Sequence, residues 1–486
     1  MSHTNVSSQS NQARGRDARV GETPNAKRRW HRVLITALVL PAVCALAAPG
    51  GVRSVLDSGA VGDGTTLNTT ALQQAIDTCS AEGGGTVTFP AGRYLTGTIQ
   101  LKDRVTLHLD AGAAIVGSTN AADYRNADPF IDGVGQPMGY ALIVTVDGKQ
   151  VGIEGAGTID GQGAAVKAAQ EKYTIRPFLV RWVRCTDVTV KDVSLVNSGA
   201  WTMHFFQCKN VAAARLTIRS LGLANNDGID TDSCDGVRIR DCDINTGDDA
   251  ICLKATSPLP CRNVTVTGCK LQTRCNAIKL GTESIGDFEH IRISNCQIRD
   301  TLLSGIALNS VDGAHLHDVI LSDITMDGIT VPISMRLGAR LKTFRAGDQP
   351  KPPGGLRDIT IKNVRATRVQ RIGILINGIP GHPVENLTLE NIDLALAGGG
   401  TAGDAQLQLP EKESAYPEWN MFGKVFPAHG LYLRHVRGVT FKNVHTSVAA
   451  PDARPEKIFI DVEGVSPADL SISTAVPATS APQPSP

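Results

Sequence analysis

The chain has 486 residues, of which 42% are apolar and 20% charged; it can bury a core, which excludes a wholly disordered protein. Forty-eight Lys+Arg against 47 Asp+Glu leave a net charge of +1, so there is neither a global basic field for nucleic acid nor an acidic tail. Aromatic residues are 4% while glycine fills 49 positions, which suits a repetitive β-structure with tight turns better than an aromatic-cored helical protein.

Residues 1–47 read as a secretory signal with a polar N-terminal extension. Lys27-Arg28-Arg29 precedes an apolar stretch from Val33 to Ala47, and Ala45-Leu46-Ala47 offers a small-residue cleavage site. The stretch is short and broken by Pro41, which argues against a bilayer span. No other segment approaches membrane length. The expectation is a secreted or periplasmic protein with no membrane contact after cleavage. Arg28-Arg29 also admits a twin-arginine export route.

Residues 48–466 read as one solenoid domain. Near its start, Thr70 to Cys79 has helical apolar spacing and predicts a short helix capping the open end of the core. Beyond it a unit of the form Asn/Asp-Val-x-Val-x-Asn/Asp-apolar-x-apolar recurs, as in Asp187-Val188-Thr189-Val190-Lys191-Asp192-Val193. It returns around Val237, Val264, Ile291 and Val319, at steps of 27, 27 and 28 residues, and again at Ile359, Leu387 and Val439. Strand-period alternation ending in Asn, Asp or Gly, with no long helix between units, predicts a stack of strands with one coil per repeat. Longer steps mark loops over 345–355 and 398–427. Residues 467–486 are rich in Pro, Ser, Ala and Thr and read as a disordered tail.

Eleven cysteines in an exported chain raise the question of disulfides. Cys242, Cys269 and Cys296, however, are each 27 residues apart and occupy the slot that holds Val193, Ile324, Val364, Ile392 and Val444 in other repeats. They replace aliphatic core residues and are expected to be free thiols. No CxxC or histidine pair suggests zinc.

One column carries polar groups a core would not tolerate. Aligning Ile229, Ile251, Ile278 and Ile306, which are 22, 27 and 28 residues apart, brings Asn226-Asp227-Gly228-Ile229-Asp230 beside Asp248-Asp249-Ala250-Ile251 and Cys275-Asn276-Ala277-Ile278-Lys279. Adjacent coils stack roughly 4.8 Å apart. Asp227 and Asp249 then lie one above the other, with Asp248 beside them and Asp230 on the following strand. An isolated Asp at such a corner is a turn residue. Stacked carboxylates repel, and are kept where a shared proton, a metal or a bound water is useful.

These segments resemble the core signature of the polygalacturonase-type glycoside hydrolases, family 28. Gly83-Gly84-Gly85-Thr86-Val87, Pro90-Ala91-Gly92 and Gly155-Ala156-Gly157-Thr158-Ile159-Asp160-Gly161 are similar to other pieces of pectin-acting enzymes, and the resemblance spans about residues 52–450. It implies an all-β, right-handed parallel β-helix that hydrolyses a pectic polysaccharide with inversion and without metal or cofactor. It makes Asp248 the acid for the leaving oxygen, with Asp227 and Asp249 holding and activating water. The family's Gly-His-Gly falls on Cys275-Asn276-Ala277, and its Arg-Ile-Lys on Ala307-Leu308-Asn309, so the cations that hold a galacturonate carboxylate are missing.

Candidate substrate contacts are therefore Asp230, Asn276, Lys279, which could restore the lost charge, and His204 one coil earlier; Arg336 and Arg340 lie about one coil later. The run Tyr416-Pro417-Glu418-Trp419-Asn420-Met421-Phe422 suggests a sugar platform or a loop folded onto the coil. The expected partner is a polysaccharide, acidic and held differently or a rhamnogalacturonan or side-branch structure, with the protein acting as a monomer. Two other readings stay open: a polysaccharide lyase with Ca²⁺ on the Asp cluster, and a non-catalytic glycan-binding β-helix.

Overall fold

The computed structural model describes residues 50–466; the signal over 1–47 and the tail over 467–486 lie outside the described residues. The chain winds as a right-handed parallel β-helix. The repeat column pairs in register from coil to coil: Val211 with Val237, Val264, Ile291, Val319, Ile359, Leu387 and finally Val439. Each of these side chains is at most 1% exposed. Fully burying a Val, Leu or Ile contributes about 1.5–3 kcal/mol, so a column of them ties each coil to its neighbours.

The recurring Asn and Asp have two tasks. They take the left-handed conformation at the bends, as at Asp323, Asn363, Asn391 and Asn443, with φ of 57°, 54°, 54° and 51°. Their side chains also bond along the stack, with Asn443 donating to Asn391 at 3.0 Å and Asn391 to Asn363 at 2.9 Å. Small amides tolerate positive φ and can bond locally, which aliphatic residues cannot.

The capping helix forms over Thr69–Ala81, longer by a few residues than expected, and turns Leu72, Ala75, Ile76 and Cys79 into the core. Cys242, Cys269 and Cys296 are buried free thiols. A second column, Cys185, Cys208, Cys234 and Cys261, is also free and fully buried; its uneven spacing hid it from the repeat.

Two elements leave the regular coil. The strands Arg125–Ile131 and Pro137–Val146 form an antiparallel hairpin. The segment after the strand Val384–Gly398 crosses the outer face through a short 3-10 turn, Trp419–Phe422, before the chain resumes at Leu431. Among the described residues no helix is long and apolar enough to cross a membrane.

Candidate active site

The predicted alignment is the observed one. Ile229 pairs with Ile251, Ile251 with Ile278 and Ile278 with Ile306. Just before these strands, Gly228 N–H donates to the Asp249 carbonyl at 2.8 Å and Ala250 N–H to that of Asn276 at 2.9 Å. Asp227, Asp249 and Asn276 thus occupy one position in successive coils, and Asp248 stands next to it. Together with Asp132, Lys254, Glu283 and Tyr416, the three aspartates line a narrow cleft. The most voluminous concavity described, about 1080 Å³, lies elsewhere, against Arg219, Asn245, Gln272 and Arg299, and holds none of the buried carboxylates.

Asp248 and Asp249 are neighbours tuned in opposite directions. Burial, and then the charge of Asp249, raise the Asp248 carboxyl above its usual range. Its oxygens accept from the N–H of Asn225 at 3.0 Å and of Asp249 at 2.9 Å. Burial would also raise Asp249, but Lys279 and Lys254 outweigh it and pull this carboxyl below the ordinary value. Lys279 Nζ lies 3.0 Å from Asp249, and the Asn276 amide donates to the other Asp249 oxygen at 2.8 Å. A protonated acid beside an ionised carboxylate is the division of labour that hydrolysis of an acetal requires.

A second acid cluster surrounds Lys254. Its ammonium sits 3.8 Å from Asp227, 3.5 Å from Asp230 and 3.4 Å from Glu283, and 4.4 Å over the Trp201 ring. Burial and then the Asp230 charge raise Asp227 well above the usual carboxylate range; burial, opposed by Lys254, does the same for Asp230. Glu283 is the reverse: against the effect of burial, Lys254 and Arg340 bring it down to about 2. Both clusters already enclose an ammonium where a Ca²⁺-dependent lyase needs its metal, so the residues do not fit that ion.

The sequence-derived candidates separate. Asp227, Asp248 and Asp249 come together on the cleft. Asp230 lies beneath them, fully buried. Asn276 and Lys279 also join the site, but they face Glu418 of the crossing segment. Lys279 Nζ is 2.7 Å and the Asn276 amide 3.1 Å from that carboxylate. Lys279 is 2% exposed and committed to two anions, which corrects its expected availability for a substrate carboxylate. His204 is corrected as well: it is fully buried among Phe130, Phe178, Trp201 and Phe206, and burial lowers its pKa to about 4. Arg336 spends its guanidinium on the carbonyls of Gly378, Glu411 and Lys412, pinning the crossing segment. Arg340 pairs with Asp312. The aromatic run is a loop folded onto the coil, with Trp419, Phe422 and Phe426 packed on Val331, Ile372, Leu375 and Tyr432.

Sequence reasoning missed Lys254, Glu283 and Glu418. Lys254 was detectable: Ile251 and Leu253 point inward, so Cys252 and Lys254 share the outward face that carries Asp230. Nothing local marks Glu418, which is 139 residues from Lys279.

The fold is a parallel β-helix that gathers buried carboxylates in one cleft. Residues 79–413 match the family description "Glycosyl hydrolases family 28", and the chain belongs to that family as a polygalacturonase-like glycosidase. It is 29% identical to a probable polygalacturonase of Vitis vinifera, over 71% of this chain and 74% of that protein. It is 26% identical to an endo-polygalacturonase of Pectobacterium parmentieri, over 67% and 84%. The solved family 28 exopolygalacturonase of Yersinia enterocolitica shares the fold, with a TM-score of 0.68, 21% identity and coverage of 86% and 78%.

Proposed function

We propose that this chain is an exported, inverting glycosidase that cleaves a pectic polysaccharide within a branched or rhamnogalacturonan-type region. The observation that carries the reading is the opposite tuning of Asp248 and Asp249. Asp248 gives its proton to the leaving glycosidic oxygen as the bond to the anomeric carbon breaks. Asp227 and Asp249, in successive coils, together orient the attacking water and take its proton as the new carbon–oxygen bond forms.

The substrate choice rests on charge. The cleft is lined by Asp132, Asp227, Asp248, Asp249 and Glu283, and its lining cation, Lys254, is shared among three carboxylates. A charge-assisted contact to a uronate contributes about 1.5–3 kcal/mol, and here no free ammonium or guanidinium lines the cleft to make it. A neutral sugar fits this lining better than galacturonate.

A product screen on pectic fractions tests the reading. Purified enzyme should release reducing sugar from a rhamnose-containing or side-chain fraction far faster than from unbranched polygalacturonate, with and without EDTA. Brisk hydrolysis of unbranched polygalacturonate alone would contradict the substrate assignment. Ultraviolet-absorbing unsaturated products that vanish with EDTA would establish a lyase instead.

A further inference from the structure

We propose that the cleft adjoining the catalytic one, at Lys167, Tyr173 and Arg176, is a second carbohydrate subsite that holds an acidic sugar of the same polymer chain. The inference rests on the glycosidase reading above.

The two clefts are contiguous, since Val134 and Asn225 line both. The second has a volume of about 310 Å³, at the lower end of the size range of small-molecule sites. Its lining holds two cations and no carboxylate. Lys167 and Arg176 both lie against the Tyr173 ring, at 5.9 and 5.7 Å from its centre, and the ring is fixed by its hydroxyl donating to the Gly199 carbonyl at 2.5 Å. Among the described residues neither cation is ion-paired with a carboxylate, whereas Lys254 and Lys279 each are. Unpaired cations in a cleft without carboxylates are placed to take the carboxylate of a uronate, for which the catalytic cleft keeps no free cation.

The subsite also touches the acid. Arg176 donates to the Asn225 side chain at 2.6 Å, and the Asn225 N–H donates to Asp248 at 3.0 Å. A sugar held by Arg176 is thus one residue away from the group that protonates the leaving oxygen. The catalytic cleft is bordered elsewhere by the hairpin tip and by the crossing segment. The tip of the 125–146 hairpin reaches over it, Gly133 N–H donating to Glu283 at 2.7 Å. On the far side Tyr416 accepts from Thr282 at 2.9 Å, and Glu418 is latched to Lys279. A polymer leaving the catalytic cleft past Val134 and Asn225 runs toward Lys167, and alternation of a neutral with an acidic sugar satisfies both clefts.

Lys167 is exposed, so Lys167→Ala and Lys167→Glu should fold as the parent does. On oligosaccharides of a rhamnogalacturonan-type chain, kcat/KM should fall roughly three- to tenfold for Lys167→Ala and further for Lys167→Glu. On the carboxyl-reduced counterpart the loss should be much smaller. Equal losses on both substrates, or none on either, overturn the subsite while leaving the glycosidase reading intact. Failure of the parent enzyme to hydrolyse either one overturns that reading and the subsite with it.

Discussion

The ammonium of Lys279 stands 3.0 Å from the carboxylate of Asp249. The coil position that offers a candidate cation for the substrate instead spends it inside the protein, on Asp249 and on Glu418, 139 residues further along the chain. The contact that occupies Lys279 also favours the ionised form of Asp249.

If Asp248 protonates the leaving oxygen, Asp248→Asn should retain the fold, because the amide keeps the carboxyl's shape and its oxygen still accepts one of the two N–H groups, of Asn225 or Asp249. It should lose about two to four orders of magnitude in kcat. Circular dichroism with initial rates checks this, and near-parental activity would remove Asp248 from the mechanism.

The pH profile should carry the signature of both carboxylates. Asp249 must be ionised and Asp248 protonated, so kcat/KM should be bell-shaped: it falls in acid as the depressed Asp249 takes a proton, and in base as the raised Asp248 loses one. In Lys279→Met/Glu418→Gln the cation is removed without stranding its second partner. Asp249 then titrates higher, and the acidic limb should move up by about one pH unit. An unmoved acidic limb would show that Lys279 does not tune the base.

Glu283 links the cleft to acid stability. Its folded pKa of about 2 lies below the ordinary glutamate value of 4.5, so its contribution is fully present above the unfolded value and is lost as pH falls from there toward 2. Glu283→Gln should cost about 2 kcal/mol near neutrality. The difference from the parent in urea denaturation should shrink as the pH is lowered through that window. A difference that is constant with pH would mean the carboxylate's charge is not what stabilises the fold.

The sequence exposes the parts of this protein that repeat. Val237, Val264, Ile291 and Val319 are spaced by the coil length because each fills the same core slot, and Asp227 and Asp249 are legible because they share a slot that ought to be polar but not charged. What escapes is whatever returns from outside the repeat. Glu418 arrives on a long crossing segment, and the hairpin tip at Gly133 meets Glu283 from 150 residues away. At that tip a side chain would not fit, since a Cβ on Gly133 would lie 2.7 Å from the Glu283 carboxylate. Lys279 was placed correctly by register and misjudged in use, because register gives the neighbours in the stack and not those folded over it.

The central claim is single-displacement hydrolysis by Asp248 and Asp249, and the anomeric configuration of the first product tests it most directly. Proton NMR during the first turnovers on an active pectic fraction should show the new reducing end appearing with inverted configuration and only later mutarotating to the mixture. A first product that retains the configuration of the cleaved bond would contradict the account, because it would require a covalent glycosyl–enzyme step in place of a directly activated water.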